Sequence, residues 1–408
     1  MKPVRLLHTS DWHLGHELMG HSREAEHDAF LAWLLDTLEE QEADALLVTG
    51  DIYDVANPPV AAMRRLYGFV REALRRMPGL QIVIIGGNHD SALRIDLPGA
   101  LLDEGRVQFV GALPRKEWEP DCERICMPLE NADGQIAAWL AAVPFCRPGD
   151  LGQGGLAELY DCIAKAAAAK AGGLPLVLSG HLHVAGGDVS EMSERRIVVG
   201  GEEAQAASLF DSRAAYVALG HLHRPQTITG DMPIRYAGSP FPLSATEREY
   251  RHSVSLVTLD PRGAQIEEVP IPRPVRFLKV PSGAPKPLSE VVAELERLEI
   301  EENPEDRERH PFLEVGVLVD GPEPHLQSRV LAALEGKPVR LTRIARERMH
   351  EAQTGALAAR EQELADLKPE SVFAELHRAV HGSEPSEALD KAFHELLLKA
   401  HDDAGEDA

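Results

Sequence analysis

Apolar positions follow two rhythms over the first two-thirds of the chain. Short runs at Val4–Leu7, Ala45–Val48, Gln81–Ile85, Leu174–Leu178, Tyr216–Leu219 and Ser253–Leu259 have strand length, and several are rich in Val and Ile. Between the first two, Phe30, Leu31, Leu34, Leu35 and Leu38 recur at helical spacing with acids on the other face, which predicts a helix over Glu24–Glu42. This alternation predicts α/β layers. At Pro270-Ile271-Pro272-Arg273-Pro274 the texture changes, and the proline spacing predicts a linker. Beyond it the pattern reads strand (Arg276–Val280), helix (Leu288–Leu298), strand (Phe312–Val319), helix (Pro324–Leu334) and strand (Val339–Ile344), a small α/β module. After Arg346 the chain is charged, Ala-rich and helical in pattern. It carries two apolar stripes: Val372, Phe373, Leu376 and Val380, then Leu389, Phe393, Leu396 and Leu397. Gly382-Ser383-Glu384-Pro385 reads as the turn between them. The expected division is therefore residues 1–270, 275–345 and 361–402.

Composition sets limits on function. A chain of 408 residues corresponds to about two to three domains. With 42 Lys and Arg against 66 Asp and Glu, the net charge of −24 excludes a protein that grips nucleic acid by bulk charge. A local patch, a metal or a basic partner stays open. No apolar stretch is long enough to span a bilayer, and the N-terminus turns polar at once, so no signal peptide and a cytoplasmic setting are expected. Cys122, Cys126, Cys146 and Cys162 form no CxxC pair and are expected to be reduced and mostly buried.

The chemistry gathers where the strands end. The runs lead into Asp11-Trp12-His13, Gly50-Asp51, Gly87-Asn88-His89-Asp90, Gly180-His181 and Gly220-His221-Leu222-His223. In layered α/β folds, ligands collect at the carboxyl ends of strands. Converging there, these side chains offer Asp, Asn and imidazole donors and no thiolate, a set suited to Mn²⁺, Fe or Zn²⁺. In Asp11-x-His13 and His221-x-His223, two residues apart in an extended segment point to one face. The glycines allow sharp turns under a ligand. A carboxylate such as Asp51 has lone pairs enough to bridge two cations. His8, His16 and His183 flank these motifs and are expected to be bystanders. Trp12 and Tyr53 are expected to pack their loops down. The face around Phe30 and Trp33 is expected to be core, and Arg64, Arg65 and Arg71 solvated surface.

These five motifs resemble the signature of the calcineurin-like metallophosphoesterases. The runs Thr9-Ser10-Asp11-Trp12-His13-Leu14-Gly15, Ser22-Arg23-Glu24-Ala25-Glu26-His27, Gly50-Asp51-Ile52-Tyr53-Asp54 and Gly238-Ser239-Pro240 narrow the resemblance to the nuclease subunits of bacterial SbcCD-type complexes. The motifs cover roughly residues 1–245; the rest matches the family by layout. The resemblance implies a four-layer α/β core of two mixed sheets with helices outside, a small α/β capping domain and C-terminal helices. It implies two divalent metal ions, usually Mn²⁺. One would be held by Asp11, His13, Asp51 and His223, the other by Asp51, Asn88, His181 and His221, with Asp51 bridging. His89 would be catalytic without being a ligand, and Asp90 would orient it. Archaeal and eukaryotic relatives carry a second catalytic histidine three residues after the bridging Asp; here that position is Asp54, so its part is open. The resemblance further implies double-strand exonuclease and single-strand or hairpin endonuclease activity in DNA repair, recombination and replication. It implies an SbcC-like ATPase whose coiled coil docks on the C-terminal helices, and a homodimer within a heterotetramer.

A stand-alone metallophosphatase or phosphodiesterase acting on something other than DNA would use the same site, because fold and site fix the reaction and not the substrate. The module beyond the linker and the paired amphipathic helices favour the nuclease reading. The intact donor set argues against a non-catalytic scaffold.

Overall fold

In the strand Val4–Thr9, Leu6 and Leu7 point to opposite faces of a sheet, and both are fully buried. That one fact requires material on both sides. The computed structural model describes residues 2–101, 106–117, 119–190, 194, 204–300, 305–348, 377, 389 and 393. In it, Val4–Thr9 lies inside a six-stranded sheet in the order Gly263–Pro270, Ser253–Asp260, Val4–Thr9, Ala45–Thr49, Gln81–Ile85, Val107–Val110. The last four strands run parallel, and Ser253–Asp260 pairs antiparallel to Val4–Thr9. A second six-stranded sheet follows the order Gln226–Ile228, Ile234–Tyr236, Tyr216–Gly220, Leu176–His181, Ile136–Ala141, Cys126–Glu130.

Three apolar cores separate these layers. Leu6, Leu47, Val83 and Val257 of the first sheet pack against Leu140, Val177, Tyr216 and Ala218 of the second. Leu7, Leu46, Ile82 and Ile84 face the other way, against Phe30, Leu34, Leu66 and Phe69 on the helices Glu24–Glu40 and Val60–Arg76. The outer face of the second sheet, with Leu178, Val217 and Leu219, meets Leu159, Ile163 and Ala167 of the helix Gly155–Ala171. The result is helix, sheet, sheet, helix, the four-layer core expected. Strands covered on both faces read as continuous apolar runs, which is why their pattern was legible. Leu174–Leu178 is displaced: that strand is Leu176–His181, so it carries its histidine as its last residue.

The third sheet is formed by Phe277–Val280, Lys286–Pro287, Phe312–Val319 and Arg340–Arg348, with the helices Leu288–Arg297 and Leu326–Ala333 completing its own core around Val291, Val315, Val317 and Val330. It belongs to the same compact unit as the sandwich, residues 1–346. Nor is the proline-rich segment loose. Ile271 donates its N–H to His252 O at 3.0 Å, and Arg273 reaches Arg248 O at 2.8 Å. Contacts across the two parts include His21 Nε2 with Leu341 O (3.0 Å) and Arg340 Nη1 donating to Ser22 O (2.8 Å). The two apolar stripes after Pro369 lie outside the described residues, apart from Leu389 and Phe393.

Smaller expectations resolve as follows. Trp12 and Tyr53 are buried, Trp12 edge-on to Phe30 and Phe69. Phe30 is core, and Arg65 is paired with Glu24 and Asp28 on the surface. All four cysteines are free, but only Cys126 and Cys146 are buried; Cys162 is exposed. No helix among the described residues is long and apolar enough to cross a membrane.

Candidate metal centre

Parallel pairing within each sheet aligns the carboxyl ends of the strands on one edge, and every motif residue named above leaves a strand there. Asp11 and His13 follow Val4–Thr9, Asp51 follows Ala45–Thr49, and Asn88 and His89 follow Gln81–Ile85. His181 ends one strand of the second sheet, and His221 and His223 follow the next. The turns are tied to each other: Asp11 N–H donates to Gly50 O and His13 N–H to Asp51 O, both at 3.0 Å. Asp11, His13, Asp51 and His221 all have positive φ (52°, 44°, 49° and 104°), among seven such non-glycine residues in the described chain. Left-handed backbone costs about 1–3 kcal/mol for such residues and persists where a site imposes it. Gly50 and Gly87 are needed for close approach. A Cβ on Gly50 would lie 2.3 Å from His181 Nδ1, and one on Gly87 would lie 2.2 Å from Asp51 Oδ1.

Asp51 is the centre. Its Oδ2 lies 3.3 Å from His181 Nε2 and 3.6 Å from His13 Nε2, while Oδ1 accepts the His89 N–H at 2.9 Å. Donor atoms of Asp11, His13 and His223 lie within 4.8 Å of one another, as do those of Asp11, Asp51 and His181. His181 Nδ1 donates to Thr49 O at 2.8 Å, which leaves Nε2 facing Asn88 Oδ1 at 2.9 Å as well as Asp51. Burial works against charge here, yet Asp51 pushes His181 up to about 9. The imidazoles of His181, His13 and His89 in turn outweigh burial and hold the Asp51 carboxyl well below the usual carboxylate range. Burial and the neighbouring His181 hold His221 well below the ordinary imidazole value, so it is a neutral ring with a lone pair. Both ring nitrogens of His13 are buried and lack a well-formed hydrogen bond, although Asp54 Oδ1 lies 3.3 Å from Nδ1 and Asp51 Oδ2 lies 3.6 Å from Nε2. Unpaired buried nitrogens are costly, and a cation would satisfy them. The donor set and its orphaned lone pairs therefore fit metal ions.

Asp90 corrects an expectation. Its carboxylate accepts three backbone N–H groups, from Gly87 (2.9 Å), Ile52 (3.0 Å) and Tyr53 (2.9 Å). It clamps two site loops together and is not the group that turns His89. That ring is oriented by its Nδ1 bond to Asp54 O at 2.7 Å. Asp54 also places Oδ1 3.3 Å from His13 Nδ1, so it touches two site histidines. His8 is a core histidine bonded to Tyr216 and Thr49. His183 stands 6.4 Å from His221, ring to ring, and is half-buried. His16, expected to be a bystander, lines the cleft over the site. This cleft of ≈ 460 Å³ also touches His13, Asp54, His89 and Glu194, together with Phe277, Glu314, Thr342 and Arg343 of the third sheet's module.

Two carboxylates carry no signal in the motifs. Glu247 is fully buried and accepts from His223 Nδ1 at 2.8 Å and Leu243 N–H at 2.7 Å. Burial again opposes charge on His223, but Glu247 pushes it up to about 10. Glu194 accepts the backbone N–H of His223 at 2.7 Å and of Ser190 at 2.7 Å. The only pointer in the sequence is that Glu247 closely follows Gly238-Ser239-Pro240, whose Ser239 N–H donates to His223 O.

A dinuclear phosphoesterase is the class that this sandwich and edge define, and the calcineurin-like phosphoesterase family model matches residues 4–225. The model described as the type 5 capsule protein repressor C-terminal domain matches residues 272–381. The chain is 42% identical over 386 residues to the SbcD subunit of the nuclease SbcCD from Rhodobacter capsulatus, covering 91% of this chain and 94% of that one. It is 33% identical over 396 residues to the Escherichia coli K12 protein of the same name (91% and 92%), and 34% identical over 276 residues to that of Bacillus subtilis (63% and 67%). The chain belongs to the SbcD family of calcineurin-like phosphoesterases. Family and clustered donors together make this edge a site for two divalent metal ions.

Proposed function

We propose that the protein is the nuclease subunit of an SbcCD-type complex that hydrolyses DNA phosphodiester bonds, as exonuclease on duplex ends and endonuclease on single strands and hairpins. The observation that carries this is Asp51, whose Oδ2 faces both His13 and His181 from the centre of a buried donor set. In this reading Asp11, His13, Asp51 and His223 hold one ion, Asp51, Asn88, His181 and His221 the other, and both are Mn²⁺. When bound, such a pair activates a water and neutralises charge on the phosphate oxygens. The chain supplies the rest. His89 gives Nδ1–H to Asp54 O, so only Nε2 can face substrate. From there the protonated ring gives its proton to the departing oxygen or a hydrogen bond to the phosphate oxygens on which charge builds. Asp54 holds His13 and His89 in register, and Asp90 holds the loops that carry Asp51 and His89. In this reading residues 275–345 are a capping domain on the core of residues 1–270, which the presence of Phe277, Thr342 and Arg343 in the lining of the cleft supports.

The partner in this reading is an SbcC-like ATPase held through residues 361–402, and the setting is the cytoplasm. Two copies form a homodimer, and the exposed apolar side chains Tyr67 and Leu97, which line an apolar groove with Val70, Leu74 and Phe109, support that. The test is release of nucleotides from a DNA hairpin with and without divalent metal, and with and without the ATPase. Metal-dependent cleavage is the expected result. Turnover of small phosphate esters with no cleavage of DNA would favour a stand-alone phosphatase.

A further inference from the structure

We infer that Glu247 is a positioning residue that makes the two metal positions unequal, with the ion held by His223 bound more tightly than the ion held by His181. This rests on the ligand sets proposed above. An imidazole binds a metal through one nitrogen, and the hydrogen bond made by the other decides which one. For His223 that other nitrogen is Nδ1, held at 2.8 Å by Glu247 Oε1. Nε2 is therefore the atom presented to Asp11 and His13, whose donor atoms lie within 4.8 Å of the ring's. For His181 the equivalent bond is also from Nδ1, at the same 2.8 Å, but its acceptor is the neutral carbonyl of Thr49. The two histidines are thus fixed in the same tautomer by partners of different charge. A carboxylate behind an imidazole raises its basicity as a ligand and places a full negative charge close to the cation; a carbonyl does much less of either.

Glu247 is built for this. It has no solvent exposure, so water does not screen its charge, and the Leu243 N–H at 2.7 Å on Oε2 leaves Oε1 turned to the ring. The backbone of His223 is fixed independently, its N–H by Glu194 and its carbonyl by Ser239 N–H. Rotation of the ring about its side-chain bonds is the freedom that remains, and Glu247 removes it.

Calorimetric titration of the metal-free full chain with Mn²⁺ tests this. The unaltered protein should bind two ions in separable steps. Glu247→Gln, which keeps the shape and loses the charge, should weaken the tighter step by about 10–100-fold. The weaker step should move by less than about 3-fold, because its histidine is backed by a carbonyl. If both steps weaken equally, or neither changes, the inference fails. If the unaltered protein binds no Mn²⁺, or His223→Ala still binds two ions with unchanged affinity, the ligand sets themselves fail. A measurement on the unaltered chain covers the case of a variant that does not fold. Imidazole nitrogen NMR should find the His223 proton on Nδ1 and the metal-induced shift on Nε2; metal on Nδ1 would overturn the proposal.

Discussion

The guanidinium of Arg340 lies 3.8 Å from the centroid of the Phe312 ring, and that of Arg23 lies 5.2 Å from the same ring. Arg23 belongs to the sandwich, where Glu26 pairs with it and Pro242 O accepts from it. Arg340 and Phe312 belong to the third sheet, and Arg340 donates to His310 O and Ser22 O. One buried ring thus links the two parts through charge as well as area. Phe312→Ala should cost about 3–5 kcal/mol of stability. Phe312→Leu keeps most of the apolar contact and should still cost about 1–2 kcal/mol, the scale of desolvated cation–π contacts. Denaturant unfolding measures both, and a leucine variant as stable as the parent would remove the cationic contribution.

The central carboxylate predicts loss of chemistry without loss of fold. Asp51→Asn should leave the circular dichroism spectrum unchanged and abolish Mn²⁺-dependent cleavage. Elemental analysis should find fewer than two ions per chain. Near-normal turnover would take Asp51 out of the site.

His89 separates binding from turnover. His89→Ala should retain both ions and lose about 10²–10⁴-fold in cleavage rate, the usual range for an acid–base group. Loss of one ion in this variant would make His89 a ligand.

Acid should destabilise the fold through two buried histidines outside the proposed ligand sets. Burial, reinforced by Arg235, pushes His8 down to about 3, and burial with Arg23 does the same for His27. Between that value and the ordinary 6.5, the unfolded chain binds protons that the folded chain refuses. Stability therefore rises with pH across this window and is lost as pH falls below about 6.5, by about 1.4 kcal/mol per pH unit for each ring. Urea unfolding of the metal-free protein at several pH values should show the slope, and His27→Gln should reduce it by about one ring's share. A slope unchanged in that variant would contradict the assignment.

Deleting residues 361–408 should leave metal-dependent cleavage of single strands intact. Co-purification with an SbcC-like ATPase, and any ATP-stimulated cleavage of duplex ends, should disappear. A truncated chain that still forms a tight complex would place the docking surface elsewhere.

Local pattern determined a good deal of this protein. Val4–Thr9, Ala45–Thr49, Gln81–Ile85 and Phe312–Val319 were readable within a residue or two, because strands buried on both faces leave unbroken apolar runs between polar turns. The strand-end residues were readable too, since Gly50 and Gly87 mark turns in which a side chain would collide with His181 or Asp51. Cys126–Glu130 and Ile136–Ala141 were not: Pro128 breaks the first, whose Met127, Pro128 and Glu130 are half-buried, and the second is an apolar run rich in Ala, whose pattern does not separate strand from helix. What only the tertiary structure decided is how charges separated in sequence meet. Asp90 sits beside His89 in the chain, yet it turns to the backbone of Ile52 and Tyr53. Glu247 comes 24 residues after His223 with no periodicity to link them, yet its oxygen lies 2.8 Å from the ring. A hydrogen bond depends on distance and direction in space, and the spacing of residues along a loop encodes neither.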